Sequence, residues 1–333
     1  MAVKLGINGF GRIGRYLLRL LASDDDLIVT AINARVDNAS LAHLFKYDSS
    51  HGTFSGPVAH DDNGLIVNGR RIAVTRCKAG EWKWKDLDVD IAVETSGTIK
   101  DRAGLAQHLA CGAKKVVISA PCKDADVTVV MGVNAEMYDH TKHDVISAAS
   151  CTTNCLAPAA KVLHENFGIK HGLMTTIHSY TMSQRILDGS HKDLRRGRAA
   201  CVSMIPTTTG AAKATALVIP ALAGKLDGLA VRVPTPNVSL VDFTCEVEKD
   251  CDAAAVNAAM KAAATGPLLD NMGYSEEPLV SVDYKGSSFG GVLDAMSTMV
   301  MDKRLVKIIV WYDNEAGFTN QLMRLLDVVA RDV

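Results

Sequence analysis

Residues 146–162 read ISAASCTTNCLAPAAKV, with Cys151 among small hydroxyl residues where an apolar run gives way to helix formers. A thiol at such a strand-to-helix junction faces helix N–H groups, which lower its pKa and can later hold an oxyanion. A nucleophilic thiol needs a base, and among ten histidines His178, in the strand-like run TTIHSYT, is the best placed. The pair predicts covalent catalysis through sulfur. The alternatives are a thiol buried as a small hydrophobe and a hydrogen-bonded core histidine. No C-x-x-C pair occurs, and Cys151 and Cys155 lack a His or Cys pair downstream at zinc spacing, so no metal site is expected. Further on, SHKDLRRGRAA carries Lys192, Arg195, Arg196 and Arg198, followed by PTTTGAAK and by AVRVPTPN with Arg232. Guanidinium forks beside hydroxyls and backbone donors suit phosphate. At least two cations of the run are expected to serve a solvated loop or ion pairs instead.

A second chemistry lies at the start of the chain, where GINGFGRIGRYLL sets Gly9-x-Gly11-x-x-Gly14 between a strand-like run and a helical pattern. In that context one glycine makes a tight turn, one lets backbone touch a pyrophosphate, and one permits close helix packing. The helix N-terminus adds N–H donors and a positive dipole end. A dinucleotide site of this kind ends its second strand with an acid that bonds the ribose hydroxyls. Here the strand ends TAINARVD, with Ala34 at the acid position and Arg35 after it. That pairing suits NADP at least as well as NAD, unless Asp37 or Asn33 serves the ribose.

These groups need a scaffold. Through residue 150, VKLGIN, LIVTAIN, DIAVETSG, KKVVISAP and HDVISAAS predict strands, with GRYLLRLLA and GLAQHLACG as helices between several of them. Apolar strands alternating with helices imply a doubly wound, mostly parallel sheet. Beyond residue 150 the rhythm changes. VSLVDFTCEVEK alternates Val241, Phe243, Cys245 and Val247 with Asp242, Thr244, Glu246 and Glu248, the pattern of a half-buried strand in an antiparallel sheet. The closing segment FTNQLMRLLDVVARDV predicts an amphipathic helix, and Pro158 is expected to kink or offset the helix that Cys151 begins. The expected division is a dinucleotide-binding domain over 1–150, an α+β catalytic domain over 151–315, and a terminal helix over 316–333. At 333 residues, 48% hydrophobic and 22% charged, with a net charge of -1, the chain has the composition of a soluble enzyme. Neither nucleic acid nor membrane is an expected primary partner. With no leader or spanning segment read in the sequence, a cytoplasmic protein is expected, where eight cysteines stay reduced.

INGFGRIGR, KYDSSHG, SCTTNCLAP, TTIHSYT, HKDLRRGRAA, IPTTTGAAKA, RVPTPNVS and WYDNEAGF together resemble the phosphorylating glyceraldehyde-3-phosphate dehydrogenase family across residues 7–318. The resemblance implies that Cys151 attacks an aldehyde with His178 as base, that hydride passes to a nicotinamide, and that inorganic phosphate cleaves the thioester. It places Thr181 and Arg232 at the phosphate of glyceraldehyde 3-phosphate. Ser150, Thr152, Arg196, Thr209 and Gly210 fall to the attacking phosphate. Arg12 and Ile13 meet the pyrophosphate with Gly9, Gly11 and Gly14, while Ser119 and Asn314 meet ribose and nicotinamide. It also implies a homotetramer in which residues 179–200 approach a neighbour's cofactor, and a last helix that returns to the nucleotide domain.

Departures from the family pattern bear on the cofactor. Ala34 replaces an Asp, and Gly189 and Ser190 stand where Leu and Pro are usual in NAD-specific bacterial members, so NADP is the expected preference with NAD still usable. The segment RCKAGEWKW is short, which leaves Lys78 or Arg76 for the adenine side. Ala148 in place of an Asn has no interpretation. The nearest rival is erythrose-4-phosphate dehydrogenase, against which intact TTTG argues. A rival of another class, a nucleotide- or RNA-binding redox sensor, is disfavoured by the near-zero net charge and the absence of interleaved aromatic and basic residues.

Overall fold

The computed structural model describes residues 2–333, which form two compact units. Unit 1 comprises residues up to Val129, then Ala135–Ala149 and Leu322–Val333, and unit 2 comprises Val130–Asn134 and Ser150–Gln321.

Unit 1 runs β1 (Val3–Asn8), α1 (Arg12–Leu21), β2 (Leu27–Asn33), α2 (Asn38–Lys46), β3 (Val58–Asp61), β4 (Gly64–Val67), β5 (Arg70–Thr75), β6 (Ile91–Glu94), α3 (Arg102–Ala110), β7 (Lys115–Ile118), β8 (Val127–Thr128) and β9 (Val145–Ser147). The strands form one sheet in the order β3-β4-β5-β2-β1-β6-β7-β9-β8. It is parallel from β5 onward, with β3 and β4 added antiparallel at one edge. Leu5, Ile7, Ile91, Val93, Val116 and Val117 are all fully buried, which is why these strands are continuous apolar runs rather than alternating ones. Helix α1 buries Gly14, Leu17, Leu18 and Leu21, a stripe at helical spacing.

Unit 2 runs α4 (Cys151–Phe167), β10 (Ile169–Ser179), β11 (Ile205–Thr208), α5 (Ala211–Val218), β12 (Leu226–Val233), β13 (Ser239–Val247), α6 (Ala253–Ala264), β14 (Met272–Ser275), β15 (Gly291–Met301) and β16 (Leu305–Tyr312). Its sheet order is β11-β12-β10-β13-β16-β15-β14. The pairings are mainly antiparallel, with β10–β12 and β14–β15 parallel. Strand β13 alternates buried and half-buried residues from Ser239 to Val247, as its sequence predicts. One face of the sheet buries Val241, Phe243, Ile308 and Val310 against Leu156, Ala159 and Leu163 of α4. Helix α4 runs unbroken through Pro158. Helix α7 (Ala316–Ala330) starts in unit 2, and from Leu322 onward belongs to unit 1, where Leu322, Leu325, Leu326 and Val329 are buried.

Candidate active site

Cys151 occupies the first turn of α4 for a local reason. Ala149 holds a left-handed φ of +59°, and Ser150 then caps the helix, its Oγ accepting from the Thr153 N–H at 3.1 Å. The second contributor arrives from the far end of β10. His178, two residues before the strand becomes loop, is buried and places Nε2 3.8 Å from Cys151 Sγ. Its Nδ1 lies 2.7 Å from the Ser179 carbonyl, and in the tautomer that donates there the Nε2 lone pair faces the thiol. Strands β10 and β12 run parallel with His178 opposite Arg232, so Arg232 Nη1 stands 2.8 Å from Nδ1 and donates to the Ser179 carbonyl at 3.1 Å.

The charges here are set by burial. Burial, then the Arg232 charge, lower the His178 pKa to about 3, against the opposing bond to Ser179. The imidazole is therefore neutral. Burial also pushes the Cys151 thiol up, although Arg232 and hydrogen bonds from Thr152 and Asn314 pull it the other way. The sequence expectation of a thiol lowered by its helix start is thus corrected: desolvation outweighs the N–H groups. The resting pair is thiol and neutral imidazole. Cys155, one turn on, is fully buried with Sγ toward the Val310 carbonyl, and burial pushes its pKa up strongly.

Besides the candidates Asn314 and Thr152, residues not singled out by sequence reasoning hold this cluster. Asn314 Nδ2 lies 3.3 Å from His178 Nε2 and donates to Ser239 Oγ at 2.7 Å, so Ser239 aims the amide. Asp313, fully buried, accepts from Asn237, Gly286, Glu315 and Ala316, which fixes the turn carrying Asn314. Tyr312 bridges Thr152 and Thr176 by its hydroxyl at 2.9 and 2.8 Å and meets the His178 ring edge-on. The WYDNEAGF motif contains three of these residues, but only the fold makes them neighbours.

The remaining anion-site candidates are placed as follows. Arg196 is held by Asp193 at 3.2 Å and reaches Ser183 Oγ at 3.3 Å and the Thr208 carbonyl at 3.4 Å. Thr181 Oγ1 meets Ser183 Oγ at 2.9 Å. Thr209 Oγ1 accepts from the Ala211 N–H, and Gly210 caps α5 without a side-chain partner for the helix. Buried Arg232 Nε and Thr207 Oγ1 lack hydrogen-bond partners. Lys192 and Arg195 are exposed, and Arg198 pairs with Asp188.

In unit 1 the glycine turn fits a dinucleotide. Gly9 has φ +93°, and a Cβ there would lie 2.5 Å from Ser96 Cα. A Cβ on Gly14 would lie 2.5 Å from the Gly9 carbonyl oxygen, whereas one on Gly11 meets nothing within 4 Å. That open side, at the uncapped N-terminus of α1 where Ile13 also lies, is where a pyrophosphate can approach backbone. Arg12 pairs with Asp48; burial pushes that carboxyl up, but Arg12 and the N–H groups of His51 and Ser50 hold it far below its ordinary value. Ser119 Oγ donates to the Glu94 carbonyl. At the end of β2, Ala34 is buried and Arg35 is exposed, while the alternative ribose partners already carry bonds of their own. Asp37 caps α2 with both oxygens on Ser40, and Asn33 bonds Asn8, Thr75 and Cys77. Arg76 donates to the Val36 carbonyl and Asn38 Oδ1, so it flanks this segment; Lys78 is exposed.

A parallel-sheet unit with a dinucleotide-type glycine turn, and a second unit that sets a thiol beside a neutral imidazole, are the parts that a nicotinamide-dependent oxidoreductase with a cysteine nucleophile requires. The comparisons agree: residues 3–102 match the model for the glyceraldehyde 3-phosphate dehydrogenase NAD binding domain, and residues 150–314 match the model for its C-terminal domain. The chain is 56% identical over 331 residues to glyceraldehyde-3-phosphate dehydrogenase of Geobacillus stearothermophilus, covering 99% of each. It is 54% identical over 332 residues to glyceraldehyde-3-phosphate dehydrogenase 1 of Bacillus subtilis, again with 99% of each covered. Against glyceraldehyde-3-phosphate dehydrogenase 2 of a Nostoc species it is 49% identical over 332 residues, with 98% of each covered. The chain belongs to the glyceraldehyde-3-phosphate dehydrogenase family.

Proposed function

We infer that the chain oxidises glyceraldehyde 3-phosphate to 1,3-bisphosphoglycerate in a reversible, phosphate-dependent reaction. The observation that carries this is the Cys151–His178–Arg232 cluster, a thiol 3.8 Å from a neutral imidazole that has a guanidinium on its other side. Cys151 Sγ bonds to the aldehyde carbon, and the thiol proton passes by way of His178 Nε2 to the new hydroxyl. His178 then takes that proton back as the carbon is oxidised to a thioester. The nicotinamide, when bound, accepts the hydride. An oxygen of inorganic phosphate attacks the thioester, the carbon–sulfur bond breaks, and His178 returns its proton to the departing sulfur.

Arg232 has two tasks in this reading. It draws the substrate's phosphate together with Thr181, and its charge adds to burial in keeping His178 unprotonated. Arg196, Thr209, Gly210, Ser150 and Thr152 are assigned to the attacking phosphate, and Asn314 to the thiohemiacetal and nicotinamide side.

For the cofactor we propose that both NADP and NAD are used, NADP preferentially. Ala34 offers no carboxylate to repel a 2'-phosphate, and Arg35 and Arg76 supply cations beside it, Arg76 in preference to Lys78. The apolar side chains of Met182, Ile186, Leu187, Leu194, Val202 and Met204 are exposed along one loop, which supports a homotetramer that covers them and brings Ser190 to a neighbour. Among the described residues no helix is long and apolar enough to cross a membrane, and all eight cysteines are free, which fits a reducing cytoplasm.

Absorbance at 340 nm tests the reaction. Growth with cofactor, glyceraldehyde 3-phosphate and phosphate, abolished when phosphate is omitted, is expected. Faster turnover of erythrose 4-phosphate, or turnover indifferent to phosphate, would overturn it.

A further inference from the structure

The two anion sites proposed above share one hydroxyl. Residues 181–184 form a turn closed by the Gln184 N–H on the Thr181 carbonyl at 3.0 Å, and across it Thr181 Oγ1 and Ser183 Oγ meet at 2.9 Å. Ser183 Oγ also accepts from Arg196 Nη1 at 3.3 Å. Arg196 is steadied for this by two further bonds, Nε to Asp193 and Nη2 to the Thr208 carbonyl.

Proton counting then gives the chain a direction. Arg196 can only donate, so Ser183 has one hydrogen left to give. A substrate phosphate beside Thr181 can only accept where it is ionised, so Thr181 turns its own hydrogen toward it. The Ser183 hydrogen must then go to Thr181 Oγ1. We propose that Ser183 is a positioning residue that carries the charge of Arg196, through Thr181, to the phosphate of the aldehyde, so that the two anion sites are coupled rather than independent. Each bond polarises the next, and an anion seated on Arg196 weakens the chain's first link. Arg196 thereby acts on a ligand it does not touch. This rests on the proposed reaction.

The test is a double-mutant cycle with Ser183→Val, which removes the hydroxyl and is matched in shape by the control Ser183→Thr, Arg196→Gln, and the double variant. KM is read for glyceraldehyde 3-phosphate and for unphosphorylated glyceraldehyde at fixed phosphate. Ser183→Val should raise KM for the phosphorylated aldehyde about three- to ten-fold, the worth of one hydrogen bond, and change the unphosphorylated one less than about two-fold. Arg196→Gln should raise KM for the phosphorylated aldehyde in the wild-type background but not beside Ser183→Val. Ser183→Thr, which keeps the hydroxyl, should restore wild-type values. Equal effects on both aldehydes, additive effects of the two changes, or a Ser183→Thr enzyme as impaired as Ser183→Val would overturn the coupling. Wild-type enzyme that turns over neither aldehyde with phosphate would instead sink the underlying reaction.

Discussion

The glycine turn of unit 1 and the thiol cluster of unit 2 solve their tasks in opposite ways. The turn works through backbone: three glycines within six residues shape a strand-to-helix corner whose N–H groups face outward. The cluster works through side chains brought from α4, β10, β12 and the turn between β16 and α7, residues separated by up to 163 positions between Cys151 and Asn314. A backbone site depends on conformation and so tolerates change at most side chains but not at its glycines. A side-chain site depends on charge and desolvation, so single atoms decide it.

If that contrast holds, the largest loss belongs to the cluster. Cys151→Ser should lower kcat by roughly 10⁴-fold or more, with cofactor affinity unchanged, because the reacting atom itself is removed. Iodoacetate should label Cys151 ahead of Cys155, and preferential labelling of Cys155 in peptide mass spectra would break the assignment. His178→Asn is expected to slow the chemical step by about 10²- to 10⁴-fold in single-turnover measurements. An unchanged rate there would remove His178 from the mechanism.

The turn should fail differently. Gly14→Val places a Cβ 2.5 Å from the Gly9 carbonyl oxygen and must shift that turn, so cofactor Kd should rise by roughly 10- to 100-fold in fluorescence titration while alkylation of Cys151 stays normal. Loss of both together would show the sites to be less separable than their construction suggests. Ala34→Asp should move the NADP/NAD ratio of kcat/KM toward NAD by about ten-fold, since the new carboxylate repels a 2'-phosphate.

The smallest effect sharpens the electrostatic side. Burial raises the Cys151 pKa in the free enzyme, and the thiolate is the reactive form, so the alkylation rate should climb with pH to a midpoint above an ordinary thiol. Arg232 opposes that rise, so Arg232→Gln should move the midpoint higher still. A midpoint that falls on losing Arg232 would contradict the geometry at β12.

Much of the fold was legible because its signals are local. The apolar runs of β1, β2, β6, β7 and β9 and the alternation of β13 report how many faces of a strand are covered, and the α7 stripe reports one buried side. The antiparallel edge of β3 and β4 was not foreseen, since short hairpin strands with exposed residues such as Ala59 and His60 carry little periodicity.

Sequence by itself determined the parallel-sheet unit, the glycine corner, and Cys151 and His178 as the pair to examine, because turn geometry, strand burial and residue chemistry are written within a few neighbouring positions. Only the tertiary structure decided the protonation of that pair. Desolvation depends on everything packed around a group, and here it outweighs the helix start that the local sequence advertises at Cys151. The aim of Asn314 by Ser239 and the Tyr312 bridge likewise arise from strands and loops distant in the chain, whose register no local pattern specifies.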